Sequence, residues 1–392
     1  MTSVNCSALF GFNETDLFRA LEDPSITLRL PAVKSTVITA LSIIKPQIAR
    51  IRTIMQTSSN MLLRYKKSQD SMRTIGIIRR DPTDPQEPGS YPMDLYLIFS
   101  RYISQGDPLI GKGSTSRACL ALHLSNQPTL LASLASLHPE ALKGLEIQQS
   151  LQKTAPLAEV IAVFSPYNKE ESTCWRSLQR LYSGNLYHIS IIRKIDLFLV
   201  AQDILRALRA LHGEGILHGD LKEDNILLDL STGRAVLTDF SDSHLIGDDC
   251  NWLTHPFYLD PHLADLVIKA SGAVSHRSYT GNTCFASDIW ALGICFFRIL
   301  SRGTVSYTSK ASLRVEKENP ITESRVTTCQ LILQTCNEPS WASREMASAP
   351  KGKDFPEEFL GLLDLMLDPC RTTRITVDEL IEKVEAHITA RH

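Results

Sequence analysis

Apolar residues at Val33, Val37, Leu41, Ile44, Ile48, Ile51 and Met55 recur every third or fourth position. That period gathers them on one face of a helix, and Pro46 should kink or interrupt the run. Residues 1–80 are therefore expected to form a helical N-terminal extension. Its opposite face carries Lys34, Arg50 and Arg52, with Lys66 and Lys67 further on, and reads first as a solvated face. The segment DPTDPQEPGSYP (81–92) holds four prolines and opens a linker assigned to 81–106. Within it, residues 93–104 suit either one more helix or the first strand of the next domain.

From about residue 107 the pattern changes. Short β-like runs at Ala118–Leu124 and Val160–Phe164 mix with a helical pattern at 142–152. From Ile191 onward helices dominate. Leu197, Val200, Ala201, Ile204, Leu208 and Leu211 make one stripe, and Val236–Thr238 is a short strand. A small β-rich part followed by a larger helical one predicts an α+β class.

Composition narrows this little. The chain has 392 residues, 43% hydrophobic and 21% charged, with net charge −2, so it can bury a sizeable core and is neither disordered nor fibrous. The near-zero charge gives no broad electrostatic case for nucleic acid or an anionic membrane. Nine scattered cysteines, an odd count with no Cys-x-x-Cys pair, read as reduced thiols and argue against a zinc site. The start, MTSVNCSALFGFNETD, lacks a basic region followed by an apolar run. The apolar stretch Ile289–Leu300 contains Arg298 and is too short to span a bilayer, so it suits a buried helix. An intracellular, cytoplasmic protein is the expectation.

The chemistry concentrates in His218-Gly219-Asp220-Leu221-Lys222-Glu223-Asp224-Asn225, with Asp239-Phe240 on the next apolar strand. Phosphoryl transfer to a hydroxyl needs a carboxylate beside the nucleophile, a cation near the transferred phosphate and oxygen ligands for a metal. Asp220, Lys222, Asn225 and Asp239 supply those groups.

This stretch resembles the catalytic loop and metal-binding motif of protein kinases. Ser287-Asp288-Ile289-Trp290-Ala291-Leu292-Gly293 resembles the helix that anchors that loop. Leu365–Pro369 with Arg374-Ile375-Thr376 resembles the family's closing helices, and Leu181–Leu186 its inter-lobe hinge. Gly111-Lys112-Gly113-Ser114-Thr115-Ser116 resembles the glycine-rich phosphate loop, with Ser116 in place of its third glycine. The resemblance implies a two-lobed protein-kinase-like fold over 107–390, with the small lobe at about 107–180 and the large lobe at about 185–390. It implies Asp220 as base and Lys222 as the phosphate-neutralising cation. Asn225 and Asp239 would be Mg²⁺ ligands, Leu227 the floor under adenine and Glu146 the helix-C glutamate. Thr254 falls where the family's activation-segment threonine bonds the catalytic pair. ATP and Mg²⁺ are the implied cofactors and a protein the implied substrate. Lys222 favours serine/threonine over tyrosine. The N-terminal helices would bind the kinase domain or a partner protein. His-Gly-Asp with the Leu-Tyr-Ser hinge also resembles the mitotic-checkpoint Bub kinases.

Departures from the pattern define the alternatives. No lysine lies between 113 and 142, where the family places its phosphate-gripping strand lysine; Ser133 or Leu134 takes that position, depending on register. Lys112 is the preferred substitute and Lys143 the second. Gly219 replaces the arginine that reads a phosphorylated activation segment, and Ser241 replaces the glycine after Asp239-Phe240. His262 stands where a glutamate would pair with Arg374, which then needs another partner. The missing lysine supports a second reading, a pseudokinase scaffold acting through partners. A third, a small-molecule kinase of the same superfamily, is opposed by the Trp290–Gly293 helix and the Arg374 region.

Overall fold

The computed structural model describes strands 60–68, 71–79, 93–98, 109–112, 116–124 and 129–136, then residues 141–164, 175–192, 194–247, 256–269, 284–301, 321–348 and 357–391. They divide into two units, Met1–Leu145 with Glu159–Ser183, and Glu146–Ala158 with Gly184–His392.

The first unit is built on one antiparallel sheet. Its strands are β1 (Asn60–Ser68), β2 (Ser71–Arg79), β3 (Met93–Ile98), β4 (Leu109–Lys112), β5 (Ser116–Leu124), β6 (Thr129–Ser136), β7 (Val160–Phe164) and β8 (Trp175–Arg180). The order is β1-β2-β3-β5-β6-β8-β7, with β4 paired to β5. Cys119, Ala121, Leu131, Ala162, Phe164 and Leu178 form its buried cluster.

Two expectations change here. The helical extension over 1–80 does not hold at its C-terminal end, because 60–68 and 71–79 are strands paired from Asn60↔Ile78 to Ser68↔Ser71. The 3.6 period seen at 33–55 stops before that segment. Thr74, Ile75, Ile77 and Ile78 are β-branched, and a neighbouring strand is available to them. The helix read at 33–55 lies outside the described residues. The linker assigned to 81–106 contains β3, which pairs with β2 and β5, so of the two readings for 93–104 a strand is found at 93–98.

The second unit is mainly helical, with α1 (Ala141–Leu151) running into it. It contains β9 (Gly184–Asn185), α2 (Leu186–Ile192), α3 (Leu197–Gly213), β10 (Ile216–Leu217), β11 (Ile226–Asp229), β12 (Arg234–Leu237) and β13 (His244–Leu245). After these come α4 (Pro261–Lys269), α5 (Phe285–Leu300), α6 (Ile321–Thr335), α7 (Trp341–Ser348), α8 (Glu357–Met366) and α9 (Val377–Ala390). The α3 stripe from Leu197 to Leu211 is buried as its period requires, and Asp196 caps the helix by accepting from the Phe198 amide at 3.0 Å. Helix α5 is apolar on nearly all sides, and Ile289–Phe297 is buried throughout. At Gly293 a Cβ would lie 2.7 Å from Leu367 Cδ2 and 2.9 Å from its Cγ, so any larger residue would force the Leu367 side chain to shift within the core. No helix among the described residues is long and apolar enough to cross a membrane. The α+β class and the two-lobed kinase-like organisation hold: a β-rich unit and a larger helical one.

Arg374 has its substitute partner. Asp260, two residues before His262, is fully buried and accepts from Arg371 Nε (2.8 Å) and Nη2 (3.0 Å), from Ser287 Oγ (2.9 Å) and from the Leu263 amide (2.9 Å). Arg374 Nη1 lies 3.5 Å away, and its guanidinium sits 4.9 Å from the Trp290 ring centroid. Burial alone would raise the Asp260 pKa; Arg371 and then Arg374 outweigh it and hold the carboxyl below its ordinary range.

Candidate active site

The loop after α3 is anchored from α5. Asp288, 3% exposed, accepts from the His218 amide (2.9 Å) and the Gly219 amide (3.3 Å), and lies 3.0 Å from His212 Nε2. Burial would raise its pKa, but His212, His218 and these bonds reverse the sign and hold it low. Gly219 has φ +79°, and a Cβ there would meet the Asp242 carbonyl oxygen at 2.6 Å. An arginine cannot enter this position without moving backbone.

Asp220 is 6% exposed. Lys222 Nζ donates to its Oδ2, and Asn225 Nδ2 donates to its backbone oxygen (2.8 Å) and to Oδ2 (3.3 Å). Burial raises the Asp220 pKa and Lys222 opposes it, with a net rise. Burial would lower Lys222, but the Asp220 charge overrides it and keeps the ammonium protonated. Asn225 spends its amide nitrogen on Asp220, which leaves Oδ1 as a candidate metal ligand. Asp239 adopts φ +63°, a strained left-handed conformation for a non-glycine residue. Ser241 Oγ donates to Asp239 Oδ1 at 2.8 Å. The residue in the glycine position thus orients the second carboxylate, a role the sequence reading did not assign. The Asp239 carboxylate and the Asn225 amide oxygen are hard donors of the kind Mg²⁺ takes alongside phosphate.

The other predicted residues are placed as follows. Gly111 and Lys112 lie on β4, paired with Ala118 and Arg117, and Ser116 opens β5. Gly113 and Thr254 fall outside the described residues, as do the side chains of Lys112 and Ser116. Glu146 is on an exposed position of α1, and Lys143 shares that helix. Leu227 is half-buried on β11, opposite Val236 and Asn185. On β6, Leu134 pairs with Ala118, which puts both on one face, while Ser133 pairs with Cys119 on the other. Ser133 is fully buried and accepts from Arg176 Nη1 at 3.1 Å. Leu134 is therefore the residue sharing the face of Ala118, the position the family fills with valine beside its glycine loop.

Comparison with known proteins decides the family. The model described as "Protein kinase domain" matches residues 108–384. The chain belongs to the protein kinase family. Among curated relatives, this kinase is 26% identical over 211 residues to Serine/threonine-protein kinase PKH2 of Saccharomyces cerevisiae, covering 49% of the chain and 19% of that protein. It is 24% identical over 235 residues to Serine/threonine-protein kinase STE20 of Candida glabrata, covering 56% and 24%. It is 25% identical over 258 residues to Serine/threonine-protein kinase H1 of Bos taurus, covering 60% and 57%. The kinase thus spans between about a fifth and three-fifths of the length of these relatives. An open cleft of about 790 Å³ in the second unit, bounded by Lys153, Arg206, Arg209 and Arg234, contains none of the predicted site residues.

Proposed function

We propose that this kinase transfers the γ-phosphate of Mg·ATP to serine or threonine hydroxyls of protein substrates. One observation carries the reading: the buried Asp220 carboxylate is held by Lys222 and Asn225, with Asn225 Oδ1 left over. In this role Asp220 orients the incoming hydroxyl and takes its proton. Lys222 stays cationic beside it and neutralises charge on the transferred group. Asn225 Oδ1 and Asp239 would hold Mg²⁺, whose bound charge stabilises the phosphate oxygens. Ser241 fixes the direction of Asp239. The described cysteines carry free thiols, four of them buried, which supports an intracellular, cytoplasmic setting.

A second reading has its own observation. Leu134 and Ser133 offer no cation on β6, so a scaffold with weak nucleotide binding remains the alternative. The test is transfer of labelled phosphate from Mg·ATP to a generic protein substrate, with Asp220→Asn as control. Turnover in wild type that vanishes in the variant supports catalysis. Equal background in both, with a thermal shift on adding Mg·ATP, supports the scaffold.

A further inference from the structure

One helix holds the catalytic loop at both ends. Near the start of α5, Asp288 takes the amides of His218 and Gly219. Ten residues later, about 15 Å along the helix, Arg298 places Nε 3.5 Å from Glu223 Oε1. Between them stands Tyr258, from the 3₁₀ turn Pro256–Tyr258 that precedes α4. Its hydroxyl donates to Glu223 Oε2 and accepts from Arg298 Nη1. Glu223 is 1% and Tyr258 5% exposed.

A carboxylate this deeply buried is costly unless paired and hydrogen-bonded. Its chain neighbours are the working residues: Lys222 precedes it, and Asn225 closes the same 3₁₀ turn, Glu223–Asn225. Both donate to Asp220, so rotation of that turn would move both donors away from the base. No phosphorylated residue can be read from within this loop through position 219, because Gly219 has no side chain and no room for one.

We propose that Glu223, Tyr258 and Arg298 are positioning residues: a buried acid–phenol–guanidinium link that sets Lys222 and Asn225 against Asp220 and ties the Pro256–Tyr258 turn to the catalytic loop without phosphorylation. Burial raises the Glu223 pKa against the pull of Arg298 and Tyr258. Burial, with the Glu223 charge adding to it, also pushes the Tyr258 hydroxyl well above its ordinary value, so it remains a proton donor at neutral pH. The catalytic consequence rests on the phosphoryl-transfer reading; the link itself does not.

The test uses the full chain with Tyr258→Phe, which keeps the ring and removes the bridging hydroxyl, and Arg298→Met, which removes the cation. In Tyr258→Phe, kcat should fall about tenfold, the scale of one buried hydrogen bond, while KM for ATP stays within about twofold. Amide hydrogen exchange should rise in a peptide covering 220–225. Tyr258→Phe combined with Glu223→Gln should cost no more than the larger single change, because the two residues share one link. Arg298→Lys should recover part of what Arg298→Met loses. If Arg298→Met does not fold, Tyr258→Phe decides alone. Unchanged kcat with unchanged exchange would overturn the proposal. So would kcat and KM worsening together with exchange rising throughout the chain, which marks general destabilisation. If wild type turns over no faster than Asp220→Asn, the phosphoryl-transfer reading has failed. Exchange then judges the link: a rise confined to 218–225 and the 256–258 turn upholds it, and no rise ends it.

Discussion

The catalytic loop and strand β6 are two regions where a kinase places charge against its nucleotide, and in this chain they contrast. In the loop, Asp220 is paired with Lys222, Glu223 with Tyr258 and Arg298, and Asp224 accepts from Asn185 at 2.8 Å. Helix α5 fixes both ends. On β6, the position facing Ala118 is Leu134 and its neighbour Ser133 is spent on Arg176. The loop can hold a proton acceptor and metal ligands in place; β6 offers no cation to grip phosphate. The difference separates two parts of catalysis that family members usually keep together. Asp220, Lys222 and Asn225 are held together by direct hydrogen bonds, whereas β6 carries no cation.

The largest effect should come from the loop. Asp220→Asn removes the base while keeping the shape, and phosphate transfer should fall by about 10²–10⁴-fold. Persistence of wild-type turnover in that variant would break the contrast outright. Next in size is the clamp beneath. Asp260→Ala strands Arg371 and Arg374 without their buried carboxylate. Loss of one partner of such a pair should cost about 3–5 kcal/mol of stability, read from denaturant midpoints. Gly219→Arg, which restores the family residue, should cost about 2–3 kcal/mol through backbone strain and contact with the Asp242 carbonyl. It should slow turnover as well, and a stable, faster variant would show that the loop tolerates the arginine after all.

A smaller effect sharpens the other side. If β6 is the deficient region, Leu134→Lys should lower KM for ATP by about tenfold, the scale of one charge-assisted hydrogen bond. Lys112→Met should raise it by a similar factor if the glycine loop supplies the substitute cation. No change in either variant would mean that neither position grips phosphate. The smallest effects concern pH. Because burial raises the Asp220 pKa, the acid limb of kcat should lie above the ordinary carboxylate range. Asp260 and Asp288 are shifted the other way, so their stabilisation is present above the unfolded carboxylate pKa. It is lost as pH falls through their lowered folded values, which a Tm-against-pH series would show.

Legibility in the sequence followed the range of the interactions. Helices α3 and α5 could be read because their burial is encoded in local periodicity: the Leu197–Leu211 stripe and the continuous apolar run through Phe297. The residues of the catalytic loop could be named because their spacing is short and their chemistry specific. Strands β1 and β2 could not, since a strand is stabilised by a partner that no single-segment pattern displays. Asp260 as the partner of Arg371 and Arg374, separated by more than a hundred residues, was equally invisible. The need for some carboxylate near Arg374 was the only trace of it.

Residue order alone thus determined the kinase character of this chain: Asp220, Lys222, Asn225 and Asp239 at their offsets, and the absence of lysine between 113 and 142. The fold decided how those letters are held. It showed that Gly219 is required by its backbone, that Leu134 rather than Ser133 shares the face of Ala118, and that Glu223 is buried against Tyr258 and Arg298. The reason is physical. A side chain's chemistry travels with its identity, whereas its charge state, strain and partners depend on atoms brought close only by packing.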